Sequence, residues 1–213
     1  MRHYTLLDNF IHEVDTAMRT ILAPSQRASS RKVPGASLDD VTLLQKDKQH
    51  IAGLMRVNHA GEVCAQALYK GQALTAELKH IKEQMLKSAD EEIDHLSWCE
   101  TRLAELNSKP SILNPAWYMA SYLLGAIAGL IGDKWSLSFV AETENQVVSH
   151  ITKHLNQIPS NDLKTKAILE QMAIDEANHA SIAKEAGAED LPLAIKKIMH
   201  ITAKALTFGS YYI

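Results

Sequence analysis

The chain has 213 residues, of which 46% are hydrophobic and 22% are charged, and its formal net charge at pH 7 is −3. This length suits one domain, and the hydrophobic share is large enough to bury a substantial core. Acidic and basic residues are mixed along the chain, with no basic block and no basic stripe interleaved with aromatic residues. The composition therefore argues against a nucleic-acid partner.

Acidic residues soon interrupt the basic start of the chain, a pattern that is typical of neither a signal peptide nor a transit peptide. The two cysteines, Cys64 and Cys99, form no C-x-x-C motif and no disulfide framework. We therefore expect a reducing compartment, in which both cysteines are small buried hydrophobic residues.

Hydrophobic residues recur at helical spacing along nearly the whole chain, and strand-like alternation is absent. Proline and serine residues between Ala23 and Ser37 predict a loop. The expected helices cover about 7–18, 47 to beyond 69, 78–106, 115–131, 133–157 and 163–187, the sixth after the capping cluster Ser160-Asn161-Asp162. A last helix is expected to start near Asp190-Leu191-Pro192. We expect residues 1–43 to form an N-terminal helix and linker, and residues 44–213 to form the main all-α domain.

The fourth helix is unusual because no charged residue occurs from Ala116 to Ile131. The run is shorter than the roughly 20 residues that a helix needs to span a bilayer. Two interpretations stay open: a buried core helix, or a helix that dips into one leaflet or lines a channel for an apolar substrate. Gly125, Gly129 and Gly132 would permit close packing against a neighbouring helix.

Two E-x-x-H motifs carry the strongest chemical signal in the chain. Glu92 and His95 are three residues apart, as are Glu176 and His179. Residues at positions i and i+3 share one face of a helix, so each pair can present a carboxylate and an imidazole to one point in a core. A single E-x-x-H motif is common by chance, so the motifs indicate metal ligands only if a wider pattern in the sequence supports them.

The wider pattern is a repeat. Glu62 precedes Glu92 by 30 residues (92 − 62), and Glu144 precedes Glu176 by 32 residues (176 − 144), each on the preceding helix. Two such units supply four carboxylates and two imidazoles from four helices, which is the ligand set of a ferritin-like di-metal site. We therefore predict a ferritin-like four-helix bundle with additional helices. Glu142 is the local alternative to Glu144, but its offset turns it to another side of the helix.

The ligand types suit two iron ions. Four glutamates balance the charge of two iron(II) ions, and two neutral histidines leave coordination positions open for dioxygen. A metal-bound histidine usually donates its other ring N–H to a carboxylate. By the pseudo-symmetry of the repeat, Asp175 would reach His95 and Glu91 would reach His179, with a solvated acid as the alternative in each case.

Several other polar residues have ordinary explanations. We expect the side chains of four further helical glutamates to be solvated: Glu77, Glu83, Glu100 and Glu105. Two histidines outside the ligand spacing, His59 and His150, either support the site or make satisfied polar contacts in the core.

The string Asn58-His59-Ala60-Gly61-Glu62, followed by Tyr69-Lys70-Gly71-Gln72, resembles the first metal helix of the demethoxyubiquinone hydroxylase family. The later segments 92–96, 141–144 and 175–180 resemble its other metal motifs in order and spacing. The resemblance covers about Leu44 to the C-terminus, and the Asn-His-Ala-Gly-Glu string is far more specific than any E-x-x-H motif.

The resemblance implies an oxygen-dependent di-iron monooxygenase that hydroxylates a ring carbon of a prenylated methoxy-methyl-benzoquinol in ubiquinone biosynthesis. It implies peripheral association with a membrane, here the cytoplasmic face of a bacterial inner membrane. It also implies two irons per chain and no catalytic side chain beyond the metal ligands. Those ligands would be Glu62, Glu92, His95, Glu144, Glu176 and His179, with Glu92 and Glu176 bridging.

Two alternative functions are also compatible with the sequence. One is a ferritin-like ferroxidase or iron-handling protein without an organic substrate, against which the uncharged fourth helix argues. Another is a non-catalytic quinone-lipid carrier module, against which the complete ligand set argues. No dinucleotide or flavin motif is present, so electrons would come from a partner reductase, a nicotinamide or the quinone itself. The basic amphipathic last helix either lies at a membrane interface or packs on the bundle.

Overall fold

The computed structural model describes residues 5–22, 24 and 27–213. Within these residues the chain forms seven α-helices and no strand, which confirms the predicted all-α, ferritin-like class. The helices are α1 (Leu6–Ile21), α2 (Gln45–Thr75), α3 (Lys79–Glu105), α4 (Asn114–Ile131), α5 (Asp133–Leu155), α6 (Leu163–Glu185) and α7 (Leu193–Tyr212).

Two helix pairs, α2 with α3 and α5 with α6, form the bundle, and α4 connects the pairs while packing on α2. Short connections turn each pair back on itself, as in other helical hairpins. The predicted capping cluster begins α6, where the Asp162 side chain accepts a hydrogen bond from the Thr165 backbone N–H.

The apolar core of the bundle is divided into two main parts. One part contains Met55, Trp98 and Met172, and the other contains Tyr69, Met85 and Val140. On each helix the predicted metal ligands lie between the residues of these two parts. Apolar layers therefore enclose the polar layer from both ends of the bundle.

Close packing of α4 on α2 confirms the role expected for Gly125 and Gly129. A Cβ atom at Gly125 would collide with the Leu68 carbonyl, and one at Gly129 would collide with the Thr75 hydroxyl. Gly132 does not pack closely; instead, it has a φ of 134° and ends α4.

The opposite face of α4 is open to solvent, so α4 is not a fully buried core helix. Leu123 is 56% exposed and Leu130 is 74% exposed. Among the described residues, no helix combines the length and the hydrophobicity that a membrane span requires.

The N-terminal segment lies against the bundle. Helix α1 forms as predicted, but its apolar residues Leu7, Ile11, Val14 and Met18 are exposed. In the linker that follows, Val33 and Leu43 pack against the core. The side chain of Phe10, the loop residues Ala23, Ser25 and Gln26, and residues 1–4 lie outside the described residues.

Candidate metal centre

All six predicted ligands are buried, and they form one cluster at the centre of the bundle. Their ligand atoms fall into two overlapping groups, within each of which all atoms lie within 4.8 Å of one another. The groups are Glu62, Glu92, His95 and Glu176, and Glu144, Glu176 and His179. Either group can hold a metal ion, and Glu176 belongs to both.

Two glutamates lie between the histidines. Glu92 Oε2 is 3.0 Å from His95 Nδ1, and Glu92 Oε1 is 3.4 Å from His179 Nδ1. Glu176 Oε1 is 2.9 Å from His95 Nδ1, and Glu176 Oε2 is 3.0 Å from His179 Nδ1. Each carboxylate therefore faces both imidazoles, which is the arrangement that a pair of bridging ligands requires.

The cluster has unused acceptors that a cation would satisfy. Glu92 Oε1 and Glu144 Oε2 are buried and accept no hydrogen bond from the described residues. Burial and the charge of Glu176 raise the pKa of both Glu92 and Glu144 well above the ordinary value. Buried, unpaired carboxylate oxygens are costly, whereas metal ions pair with them directly, so the residues present fit a metal.

Both expected histidine supports are confirmed. His95 Nε2 lies 2.9 Å from Asp175 Oδ2, and His179 Nε2 lies 2.8 Å from Glu91 Oε2. These nitrogens face away from the cluster, while the Nδ1 atoms face it. A carboxylate that accepts the Nε2 proton keeps Nδ1 unprotonated for a metal and fixes the plane of the ring.

These contacts shift the pKa values of His179 and Asp175 in opposite directions. Burial lowers the pKa of His179, but the hydrogen bond to Glu176 and the nearby carboxylates outweigh burial and raise the pKa to about 10. Burial raises the pKa of Asp175, but hydrogen bonds from His95, Arg31 and Gln171 outweigh it and lower the pKa to about 2. The carboxylates of the cluster therefore favour positive charge at this site.

The structure also distinguishes Glu144 from Glu142. Glu144 is buried and accepts a hydrogen bond of 2.7 Å from the Tyr69 hydroxyl. Glu142 points away from the cluster, where it accepts a hydrogen bond from Gln146 and lies 3.2 Å from Lys196 Nζ of α7. The preference for Glu144 is therefore consistent with the geometry.

The prediction that Glu100 is solvated was wrong. Its carboxylate is half-buried between Arg27, whose Nη2 lies 2.7 Å away, and His59 Nε2 at 3.2 Å. The helical pattern of α3 could not reveal this pair because Arg27 belongs to the linker. Glu77 and Glu83 are exposed as expected, while the partly exposed Glu105 pairs with Arg102.

The prediction of polar contacts for the two histidines outside the cluster, His59 and His150, is confirmed for only one of them. His59 makes the expected polar contacts in the core, with Glu100 and with Asn114. His150 does not, because its Nε2 is buried without a hydrogen-bond partner among the described residues. Its ring packs edge-on against His154, with 4.0 Å between the ring centroids.

The cysteines take no part in the cluster. Cys99 is buried as predicted, Cys64 is partly buried, and both are free thiols. Burial raises the pKa of Cys64 to about 12, so its thiol is a poor nucleophile at neutral pH.

Sequence reasoning missed Asp94 and Arg31. Asp94 is buried two residues after Glu92, and Arg31 of the linker binds both Asp94 and Asp175. The arginines and serines of the predicted loop were the one available signal, but their partners are distant in sequence.

The fold and the cluster together define a ferritin-like bundle with a buried carboxylate–histidine cluster that can hold metal ions. The family model described as "Ubiquinone biosynthesis protein COQ7" matches residues 49–210, and the chain belongs to this family.

Curated relatives named 3-demethoxyubiquinol 3-hydroxylase match over the full length of both chains. The proteins of Legionella pneumophila strain Paris, Acinetobacter baylyi and Acinetobacter baumannii strain ACICU are 59%, 54% and 53% identical over 213 residues, which is 100% of each chain.

Proposed function

We propose that this protein is an oxygen-dependent di-iron monooxygenase that hydroxylates demethoxyubiquinol in ubiquinone biosynthesis. The observation that carries the proposal is the buried cluster of four glutamates and two histidines in two overlapping groups that share Glu176. Family membership and the activity named for the full-length relatives support the choice of substrate.

The residues would divide between two irons according to the two groups. Glu62 and His95 would hold one iron, and Glu144 and His179 would hold the other. Glu176 belongs to both groups, and the Glu92 carboxylate faces both histidines, so these two glutamates would be shared. When bound, the iron pair supplies the two-electron reduction of dioxygen, which no side chain of the site can perform. The four carboxylates balance the charge, and the apolar layers on either side exclude water.

The alternative functions lack comparable support. A ferroxidase needs the same cluster but no organic substrate, whereas the relatives are named as hydroxylases. A non-catalytic lipid carrier has no use for two histidines that are each oriented by a buried or partly buried carboxylate.

The test is a single-turnover experiment. Protein is loaded anaerobically with iron(II), mixed with ¹⁸O₂ and demethoxyubiquinol, and the product is analysed by mass spectrometry. We expect one labelled oxygen atom on the ring. Oxidation of iron without a hydroxylated quinol would support a ferroxidase and reject the proposal. Cys64→Ala is the control, and it should turn over like the wild type because its thiol is not needed.

We also propose that the enzyme acts peripherally at a membrane, on the cytoplasmic face of a bacterial inner membrane. A prenylated quinol stays in the bilayer, so the enzyme has to approach it there. Helices α1 and α4 contact each other, and both expose large apolar side chains. This apolar face consists of Leu7, Ile11 and Met18 of α1 and Leu123, Leu124, Ile127, Leu130 and Ile131 of α4.

Vesicle binding tests the membrane proposal. The double variant Leu123→Asp/Leu124→Asp should lose most of its co-sedimentation with phospholipid vesicles while it still binds iron. Leu44→Asp/Leu163→Asp is the matched control, because both residues are exposed leucines outside the apolar face. Equal vesicle binding by the two double variants would reject this role for α4.

The substrates of the proposed reaction are the quinol, dioxygen and a source of electrons. The source would be a partner reductase, a nicotinamide or the quinol itself. Stopped-flow reduction of the diferric protein by each candidate in turn would distinguish the three.

A further inference from the structure

The linker between α1 and α2 crosses the bundle directly outside His95. Asp94, the residue before His95, is buried and accepts hydrogen bonds from the linker through both carboxylate oxygens. Ser29 Oγ and the Ser30 N–H donate to Oδ1 at 2.8 and 2.7 Å. Ser30 Oγ and Arg31 Nε donate to Oδ2 at 2.8 and 2.9 Å. These four bonds fix the linker on α3.

Arg31 also reaches the second E-x-x-H helix. Its Nη1 donates to Asp175 Oδ2 on α6 at 2.8 Å, while its Nε is bound to Asp94 on α3. The guanidinium lies 4.6 Å from the centroid of the Trp98 ring, and that ring is 5.1 Å from the His95 ring. One planar side chain therefore joins α3, α6 and the aromatic neighbour of His95.

Asp175 is fixed by these contacts. Its Oδ2 accepts hydrogen bonds from both Arg31 Nη1 and His95 Nε2, and its Oδ1 accepts one of 2.9 Å from Gln171 Nε2. The carboxylate is thus held on both oxygens, and its side chain is 17% exposed. A carboxylate held in this way presents a single acceptor position to the imidazole.

We infer that Arg31 is a positioning residue, which holds Asp175 and through it the orientation of the His95 ring toward the metal. The inference rests on the metal centre proposed above, but it assigns a role to the N-terminal linker that the metal ligands do not require. On the His179 side, the basic residue that pairs with Glu91 among the described residues is Lys87, a 74% exposed residue of the same helix, at 3.4 Å.

Anaerobic iron(II) titration against a competing chelator tests the inference, with four variants beside the wild type. Asp175→Asn should lower the affinity for one of the two irons by about 10- to 100-fold. Arg31→Gln should lower the affinity for the same iron by about tenfold. Arg31→Lys should restore part of that loss because it keeps one charged contact. Lys87→Gln is the matched control on the His179 side and should bind both irons like the wild type.

The double variant Arg31→Gln/Asp175→Asn decides whether Arg31 acts through Asp175. We expect it to bind iron within about twofold of Asp175→Asn alone, because coupled residues are not additive. Mössbauer spectra of ⁵⁷Fe(II)-loaded Arg31→Gln should show a change in one iron environment and not in the other. This readout does not depend on turnover.

Three results would overturn the inference. They are wild-type iron affinity in Arg31→Gln, full additivity in the double variant, or equal changes in both iron environments. If Arg31→Gln does not fold, Arg31→Lys provides the same comparison: we expect an iron affinity measurably below that of the wild type, and an affinity equal to the wild type is the contrary outcome. A wild-type protein that binds no iron would instead reject the proposed metal centre itself.

Discussion

The two halves of the proposed metal centre match in their proposed ligands and differ in the contacts that hold those side chains. His95 and His179 each place Nδ1 toward the shared glutamates and Nε2 toward a carboxylate on the opposite helix. The carboxylate behind His95, Asp175, is 17% exposed and held by Arg31 and Gln171. The carboxylate behind His179, Glu91, is 37% exposed and lies near the solvated Lys87.

This difference shows that a repeated ligand motif does not produce two equivalent sites. Exposed ion pairs contribute little because water and salt screen them, whereas a half-buried, multiply bonded carboxylate has one orientation. The repeat supplies the same ligands twice. The linker then covers one half, and the other half remains closer to solvent.

Loss of a shared ligand should affect both halves. Because Glu176 belongs to both ligand groups, Glu176→Ala should reduce iron after anaerobic reconstitution from about two per chain to below one. Metal analysis by mass spectrometry measures this. Glu142→Ala, which changes a glutamate outside the cluster, is the control and should retain about two irons. A Glu176→Ala protein with full iron content would show that the ligand assignment is wrong.

Loss of the carboxylate behind either histidine should lower the affinity for one iron more than for the other. Asp175→Asn should cost about 10- to 100-fold in the affinity for one iron, and Glu91→Gln should cost less than about tenfold in the affinity for the other. The reason is that Asp175 is rigidly held, whereas Glu91 is more exposed and can be replaced by water. Chelator competition under anaerobic conditions measures both. Equal losses of iron affinity in Asp175→Asn and Glu91→Gln would show that the two halves do not differ in how firmly their histidines are held.

The His179 half has a contact of its own, the hydrogen bond from Tyr69 to Glu144. Tyr69→Phe should lower the affinity for one iron by about three- to tenfold. It should also lower the free energy of unfolding by about 1 kcal/mol, since the buried Glu144 carboxylate loses its hydrogen-bond donor. Combining Tyr69→Phe with Glu91→Gln and with Asp175→Asn locates the effect. Coupling with Asp175→Asn rather than with Glu91→Gln would place Tyr69 in the wrong half.

The smallest effect is expected at Lys87. Lys87→Glu places a like charge near Glu91 and should weaken iron binding by about twofold at low ionic strength, an effect that vanishes near 0.5 M salt. The effect of Arg31→Gln should persist at that salt concentration, because its contacts are less accessible. A Lys87→Glu effect that withstands salt would mean that the two halves are held equally firmly.

Local pattern was sufficient for most of the fold and for the six residues that form the buried cluster. Helical periodicity and end signals located the seven helices of the described residues to within a few residues. The three-residue spacing within each E-x-x-H motif placed carboxylate and imidazole on one face, and the repeat interval identified Glu62 and Glu144. These features depend on neighbours along one helix or on a repeated helix pair, so the sequence alone determines them.

Tertiary structure decided what surrounds those ligands. The partners of Arg31 are 63 and 144 residues away in sequence, and that of Arg27 is 73 residues away. No periodicity connects a loop to helix positions that far along the chain, so the burial of Asp94 and Glu100 could not be predicted. The same holds for α4, whose uncharged sequence left open whether its leucines lie in the core. Close packing of its glycines on α2 turns those leucines outward, and that packing exists only in the folded chain.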